Sequence, residues 1–460
     1  MIQQKKFHRV LYAICILLIT WGTSIAVQAC LYNNIRGDEA LSFMHSNPEL
    51  FTLAQVWSQI KYGVDHSFIH AATLQLLFDG FGYHIYVQRG FSFLVWVVFA
   101  VLLFGLAYKY SCSRLVALLT LVLTLFSSMG FWLAADGRFY ALTALAGLVH
   151  MYIFLYYTNT KTSVRHLLLL VIQLLSLLIN PMLGVWHMLL VIAAFFIYSM
   201  RETARYMIGA FLAWLVYKLV FSGNAFDSYF LDAYAIRPFT FQWDATILEW
   251  PFRWLMVPSL PYMPDWIGAL VLVILILAVV WPSAQKITPD DLFKKGFVKP
   301  FDVVVLVFVF FAIMLSIATI AGGIAVWPFR YFAFGYFVIP IWLSRFLILQ
   351  TQYHRVAKVV LIALLCGWLL RMYAEQVKVN ERRQIWNAWT HENVAAKTVF
   401  EEHCNNNYEP FVQAGQLYVR DEAARSKIEF HYCAEDTLRA QYFERLNKLR
   451  YPIQFVPISK

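Results

Sequence analysis

The chain has 460 residues, of which 60% are hydrophobic, 18% aromatic and only 14% charged, with a mean hydropathy of +0.59 and a formal net charge of +10. That balance excludes an ordinary water-soluble globular protein. It also argues against a nucleic-acid partner, because the Lys and Arg residues are scattered between apolar runs and not gathered on one solvated face.

In chain order, apolar runs of roughly 20 residues predict membrane-spanning helices near residues 10–29, 91–108, 115–133, 139–158, 166–180, 183–199, 206–222, 266–281, 302–320, 331–349 and 359–373. The expected fold is an all-α polytopic membrane protein with about eleven transmembrane helices. The first run is longer than the apolar core usual for a cleaved signal, so it reads as a retained helix even though "AVQAC" ends in small residues. The joints alternate in charge. Lys5, Lys6 and Arg9, then Lys109 and Arg114, Lys161 and Arg165, Arg201 and Arg205, Lys286 with Lys294, Lys295 and Lys299, and Arg355 with Lys358 fall on one side. The positive-inside rule makes that side the cytoplasm, and an odd helix count then puts the C-terminus outside.

Two long external segments, 30–90 and 223–265, are rich in Trp, Tyr, Phe and Pro, composition suited to the membrane interface. Within the first, "PELFTLAQVWSQIKYG" and "FIHAATLQLLFDGFG" carry apolar residues at helical spacing but are too short to span, which predicts two amphipathic helices lying along the outer surface as a roof. After Tyr373 the chain turns polar and charged, predicting a small α/β soluble domain over 374–460 beside the transmembrane domain 1–373. There "NVAAKTVFEEHC" and "DTLRAQYFERLNKL" are expected as helices and "PFVQAGQLYV" as a strand. Cys404 and Cys433 could pair in an oxidising compartment or stay reduced; spacing alone does not decide.

Three groups of residues could carry chemistry. Asp38 and Glu39 in "LYNNIRGDEALSF" leave the membrane beside Arg36 at a predicted helix start, whose free N–H groups favour negative charge. Either carboxylate, partly shielded under the roof, could act as a base; an isolated one is more often simply solvated. Arg138 in "AADGRFYAL", Arg330 in "WPFRYFAF" and Lys218 in "WLVYKLVF" are cations at outer helix ends, where they either snorkel to the headgroups or converge on a phosphate, with Lys61 and Arg89 as further candidates. Asp65 with His66 and His70 offers a divalent-metal set at i, i+4 spacing, but no Glu stands between the histidines in the metalloprotease pattern. His150 and His187, inside predicted helices, read as hydrogen-bonded packing residues.

The order of these features resembles the GT-C class of membrane glycosyltransferases, and within it the dolichyl-phosphate-mannose protein mannosyltransferase and aminoarabinose transferase group. One helix leads into a long external loop opened by Asp38 and Glu39. Asp65, His66 and Ser67 before "LQLLFDGFG" stand where the group has a His-Pro-Pro segment, without its prolines. "GRFYALTALAGL" is similar to the group's Arg-x-Tyr-Ala-Leu run, and "WPFRYFAFGYFVIPIWL" to its Pro-x-Arg-Tyr segment. The resemblance covers roughly residues 10 to 350. It implies a polyprenyl-phosphate sugar as donor, transfer to a hydroxyl with inversion, Asp38 as base, Glu39 orienting it or the acceptor, Arg138 and Arg330 on the departing phosphate, and Arg36, Asp65 and His66 in support.

The acceptor, whether lipid, polysaccharide or protein, and the sugar stay open. No Asn-x-Ser/Thr sequon falls in an external segment, which favours a bacterial inner membrane with a periplasmic C-terminal domain over a secretory pathway. Three rivals remain: a lipid-linked polysaccharide ligase or polymerase, a transporter, which would be expected to carry internal repeats and charges near the bilayer midplane, and a structural membrane subunit.

Overall fold

In a computed structural model the described residues are 2–33, 37–61, 67–156, 163–220, 300–322, 333–353, 355–392, 398–401, 428–433 and 453–458, with Tyr418 and Glu444. Within them the chain is predominantly helical: α1 (Ile2–Tyr32), α2 (Gly37–His45), α3 (Leu53–Lys61), α4 (Phe68–Phe81), α5 (Ile85–Ser111), α6 (Arg114–Leu125), α7 (Ser128–Ala135), α8 (Tyr140–Tyr156), α9 (Ser163–Ile179), α10 (Leu183–Ile197), α11 (Met200–Val220), α12 (Pro300–Gly322), α13 (Val338–Tyr353) and α14 (Arg355–Glu392). Three strands follow, β1 (Thr398–Glu401), β2 (Ile428–Cys433) and β3 (Gln454–Ile458).

Among the described residues, four helical stretches are long and apolar enough to cross a membrane: Lys6–Tyr32, Ile85–Ser111, Ala333–Thr351 and Arg355–Gln384. The pair α6–α7 would make a fifth, and shorter apolar helices cover Tyr140–Leu155, Leu167–Ile179, Leu183–Ile197 and Pro300–Phe311. Their outward faces carry Leu17, Leu94, Val101, Phe196, Leu306 and Phe310 exposed, the surface of a protein whose solvent there is lipid. The run expected as one helix over 115–133 is instead bent by 71° between α6 and α7. Ser127 causes the restart: its Oγ accepts from Gly130 N at 3.1 Å and caps α7. The expected span 266–281 and the external loop 223–265 lie outside the described residues.

Packing within the bundle depends on one close approach. A Cβ at Gly147 in α8 would overlap the Phe334 carbonyl, so only glycine lets the segment before α13 lie against α8. The Gly147 carbonyl accepts from Trp186 Nε1 at 3.1 Å, and the Trp186 ring meets Phe334 with centroids 5.5 Å apart. His187 shares a 2.9 Å hydrogen bond with Ser176, and the His150 ring stands edge-on to His187 at 4.4 Å.

α1 and α14 run side by side in the same direction. Lys358 lies 5.4 Å from the centroid of Phe7, Gln376 donates to Gln28 at 2.9 Å, and Arg382 donates to Asn33 at 2.6 Å. With 38 residues, α14 is about 57 Å long at 1.5 Å per residue, well beyond the roughly 30 Å hydrocarbon core. It passes the compositional boundary at Tyr373 without a break and follows α1 to its end, where Arg383 lies 5.2 Å from the centroid of the Tyr32 ring.

The roof helices form as α3 and α4. Ser67 caps α4 by accepting from His70 N at 3.3 Å, and Phe51, Val56 and Ala71 pack together between the two helices. One expectation is corrected: "NVAAKTVFEEHC" does not form a helix through its centre, because Thr398–Glu401 is strand β1. Its Thr-Val-Phe run is β-branched and aromatic, and pairing with a neighbour decides its conformation. β1 and β3 both pair parallel with β2, giving the order β1-β2-β3. Alternation along β2 turns Ile428, Phe430 and Tyr432 to one buried face. That face, with Phe455, Ile453 and Tyr418, shares one apolar core with Ala40, Phe43 and Met44 of α2 and Leu74 and Phe78 of α4. The sheet and the roof therefore meet at the same end of the bundle. "DTLRAQYFERLNKL" and "PFVQAGQLYV" lie outside the described residues except for Glu444 and Tyr418.

Candidate functional site

The acidic pair stands at the start of α2, which begins at Gly37. Asp38 lies in its first turn, where free N–H groups and the helix dipole favour an anion. For Asp38 and Lys61 only the backbone is described; Arg36, Asp65, His66 and Arg330 lie outside the described residues.

Glu39 is buried and fully engaged. Arg89 of α5 grips it with both arms, Nε donating to Oε1 at 2.6 Å and Nη2 to Oε2 at 2.9 Å, and Gly137 N–H adds a 3.2 Å contact to Oε1. The remaining Arg89 nitrogen, Nη1, donates to the carbonyls of Cys30 at 3.1 Å and Asn33 at 2.9 Å. Gln88 Nε2 bonds the carbonyls of Gly137 at 2.6 Å and Glu39 at 3.3 Å. The end of α1, the start of α2, the N-terminal part of α5 and the loop between α7 and α8 are thus sewn together around one carboxylate. A Cβ at Gly137 would come within 2.7 Å of the Gln88 side chain, so the loop packs this closely only with glycine there. Glu39 is an anchor for α2; its oxygens are already taken by N–H donors.

The anchor fixes the stripe of α2 that begins at position 38. Positions 38, 42 and 45 are i, i+4 and i+7 and share one stripe of α2. Ser42 and His45 on that stripe are buried, as are Ser46 just beyond the helix, His70 in the first turn of α4 and Asp136 in the loop. Arg138 follows Asp136 and Gly137, half-buried, its guanidinium 5.0 Å from the Phe139 ring centroid and 5.6 Å from that of Tyr140. The Ser92 hydroxyl donates to the Arg138 carbonyl at 3.5 Å. Burial above all, and the charge of Arg138 second, push His45 and His70 down to about 3. Both imidazoles are therefore neutral near pH 7, each with one donor and one acceptor nitrogen. A neutral imidazole can donate to or accept from an oxygen-bearing group.

Of the residues singled out from sequence, Asp38, Glu39 and Arg138 come to one end of the bundle. Lys218 sits in the last turn of α11 next to Tyr217, which packs on the α3–α4 side of the roof. Arg89 proves to be the partner of Glu39. His45 was not singled out, although its i, i+7 relation to Asp38 was available in "DEALSFMH". Gln88 and Gly137 carry no signal readable without the fold. Among the described residues no group of three His, Cys, Asp or Glu side chains could hold a metal ion. No protein-family model, curated protein or solved structure matches the chain.

Proposed function

We propose that the protein transfers a sugar from a polyprenyl-phosphate donor to a hydroxyl acceptor at the outer face of the membrane, with inversion and with Asp38 as general base. The observation that carries the reading is the anchoring of α2. Glu39, locked to Arg89 and Gly137, fixes a helix start with a second acidic residue at the head of the stripe that continues to the buried Ser42 and His45.

In the reaction the acceptor oxygen attacks the anomeric carbon as its proton passes to Asp38. The bond from that carbon to the phosphate oxygen breaks, and the oxygen leaves with the electron pair as lipid phosphate. A positioned base contributes about 10²- to 10⁴-fold to such a step. Fixed cations stabilise the developing phosphate charge; Arg138 has this role, with Arg330, Lys61 and Lys218 as the further candidates. Glu39 positions Asp38 through α2. Arg36, Asp65 and His66 belong to the same external loop and support the acceptor side. The lipid chain lies against the aromatic-rich helices. Eleven spans, a cytoplasmic N-terminus and a periplasmic C-terminal domain in a bacterial inner membrane complete the reading, on the strength of the basic joints.

Mass spectrometry of glycolipids and glycoproteins from cells lacking the gene tests it. The expected result is loss of one glycosylated product with accumulation of a polyprenyl-phosphate sugar. Unchanged profiles of both would overturn the reading.

A further inference from the structure

Asn33, the residue that follows α1, is held by two arginines. Its N–H still bonds the Ala29 carbonyl at 2.9 Å, so it continues the backbone pattern of the helix. Arg89 Nη1 of α5 donates to the Asn33 carbonyl at 2.9 Å. Arg382 Nη1 of α14 donates to the Asn33 side-chain Oδ1 at 2.6 Å. This second contact is short and charge-assisted, the stronger kind of hydrogen bond. The other nitrogens of Arg89 close on Glu39. A chain of contacts therefore runs from Arg382 through Asn33 and Arg89 to Glu39, joining α14 to the start of α2.

That chain brackets the acidic pair. The step from Asn33 to Glu39 is bound at both ends by one guanidinium, and position 38 lies within it. Fixing both ends of so short a step removes much of the freedom that its backbone would otherwise have. Arg89 ties the step to α5, and Arg382 ties it to α14.

The sequence of α14 prepares this contact. Positions 372, 376, 379 and 383 share one stripe of the helix. Met372 and Val379 on it are fully buried, and Gln376 between them bonds Gln28 at 2.9 Å. From Gln28 to Asn33 α1 advances about 7.5 Å, and from Gln376 to Arg382 α14 advances about 9 Å. The two helices thus keep their parallel register to the end of α1. Among the described residues no carboxylate pairs with Arg382, whose contact is the Asn33 amide. Past Arg382 the helix runs to Glu392 and the chain enters β1 at Thr398, in the sheet that packs on the apolar side of α2.

Taking the proposed sugar transfer as given, we infer that Arg382 is a positioning residue for the acidic pair. Through Asn33 and Arg89 it sets where the start of α2 stands, without touching substrate itself. The polar end of α14, 349 positions from Asn33 in the chain, is therefore part of the frame of the site.

Two measurements on the full chain in nanodiscs test this, one of them independent of activity. Arg382→Ala and Asn33→Ala should each speed hydrogen exchange of the α2 amides and leave α4 unchanged. The double variant should exchange no faster than the single ones, because both remove the same contact. In transfer from a polyprenyl-phosphate sugar to the acceptor found by mass spectrometry, each single variant should lose about tenfold to 10²-fold in kcat. KM for the donor should stay unchanged, and the double variant should lose no more. Gln376→Ala breaks a contact of the same two helices away from Asn33, and should behave as the wild type in both measurements. Wild-type α2 exchange in both single variants, faster exchange with unchanged kcat, or an equal kcat loss in Gln376→Ala would overturn the inference. A wild-type chain that transfers no sugar would overturn the proposed function instead, and the exchange measurement would still decide whether Arg382 positions α2.

Discussion

At one end of α5, Arg89 holds Glu39 with side chains only 1% and 2% exposed. At the other, about 32 Å away along the helix, Tyr110 stands between Arg345 and Asp302. Arg345 donates to the Tyr110 hydroxyl at 2.7 Å, the hydroxyl bonds Asp302, and the direct ion pair is 3.5 Å with side chains 18% and 13% exposed. Both ends join an arginine to a carboxylate across helices. At the Tyr110 end α5, α12 and α13 are tied by a chain of contacts in which no single charge is sealed. At the Arg89 end a fully buried pair gathers α1, α2, α5 and a loop, and every remaining nitrogen of Arg89 is used. Burial makes the second arrangement a determinant of shape: once desolvated, neither charge tolerates loss of the other.

The largest effect should come from separating the sealed pair. Arg89→Ala should destabilise the protein by about 3 to 5 kcal/mol, since it leaves Glu39 buried and uncompensated. Arg89→Met combined with Glu39→Met should recover much of that loss. Thermal unfolding in detergent checks both, and equal instability of the single and double variants would contradict the pairing.

Next comes the apolar side of α2. Phe430→Ala or Phe455→Ala empties the core shared by the sheet with Phe43 and Phe78, at about 3 to 4 kcal/mol. Limited proteolysis should then cut the C-terminal segment faster, and sugar transfer should fall even though neither residue lies on the polar stripe of α2.

Acid provides a graded test. His45 and His70 sit at about 3 in the fold, against about 6.5 unfolded. The unfolded chain therefore binds more protons below about pH 6.5, so stability is full above that value and is lost as pH falls from there toward 3. Each histidine should contribute a slope of about 1.4 kcal/mol per pH unit. His45→Gln and His70→Gln should flatten the curve; unchanged acid sensitivity in both would remove the histidines as its cause. The smallest effect is expected at the Tyr110 end of α5, where Asp302→Asn should cost about 0.5 to 1.5 kcal/mol in the same unfolding assay.

How much of this was legible in the sequence differs between the two faces of α2. The helix start at Gly37, the roof helices α3 and α4, and a cation at Arg138 follow from local patterns: an acidic pair before an apolar run, helical spacing, a lone Arg at a helix end. The role of Glu39 does not, because its partner stands fifty positions away and only the antiparallel course of α1 and α5 brings Arg89 to it. Strand β1 was hidden for a similar reason. Thr398–Glu401 looks helical until β2 supplies its pairing. The bend between α6 and α7 is written in Ser127 and Gly130, but inside an unbroken apolar run it does not stand out.

The contacts of Arg89, Gln88 and Gly137 with Glu39 fix the start of α2, and the claim that this serves chemistry rests on Asp38. Sugar transfer by purified Asp38→Asn protein, from a polyprenyl-phosphate sugar to the acceptor found by mass spectrometry, is the most direct measurement. The amide matches the carboxylate in shape but cannot accept the proton. Transfer should fall by at least about 10²-fold, while folding and donor binding persist. Transfer at the wild-type rate would contradict the account and leave the acidic pair as an anchored helix start without a catalytic base.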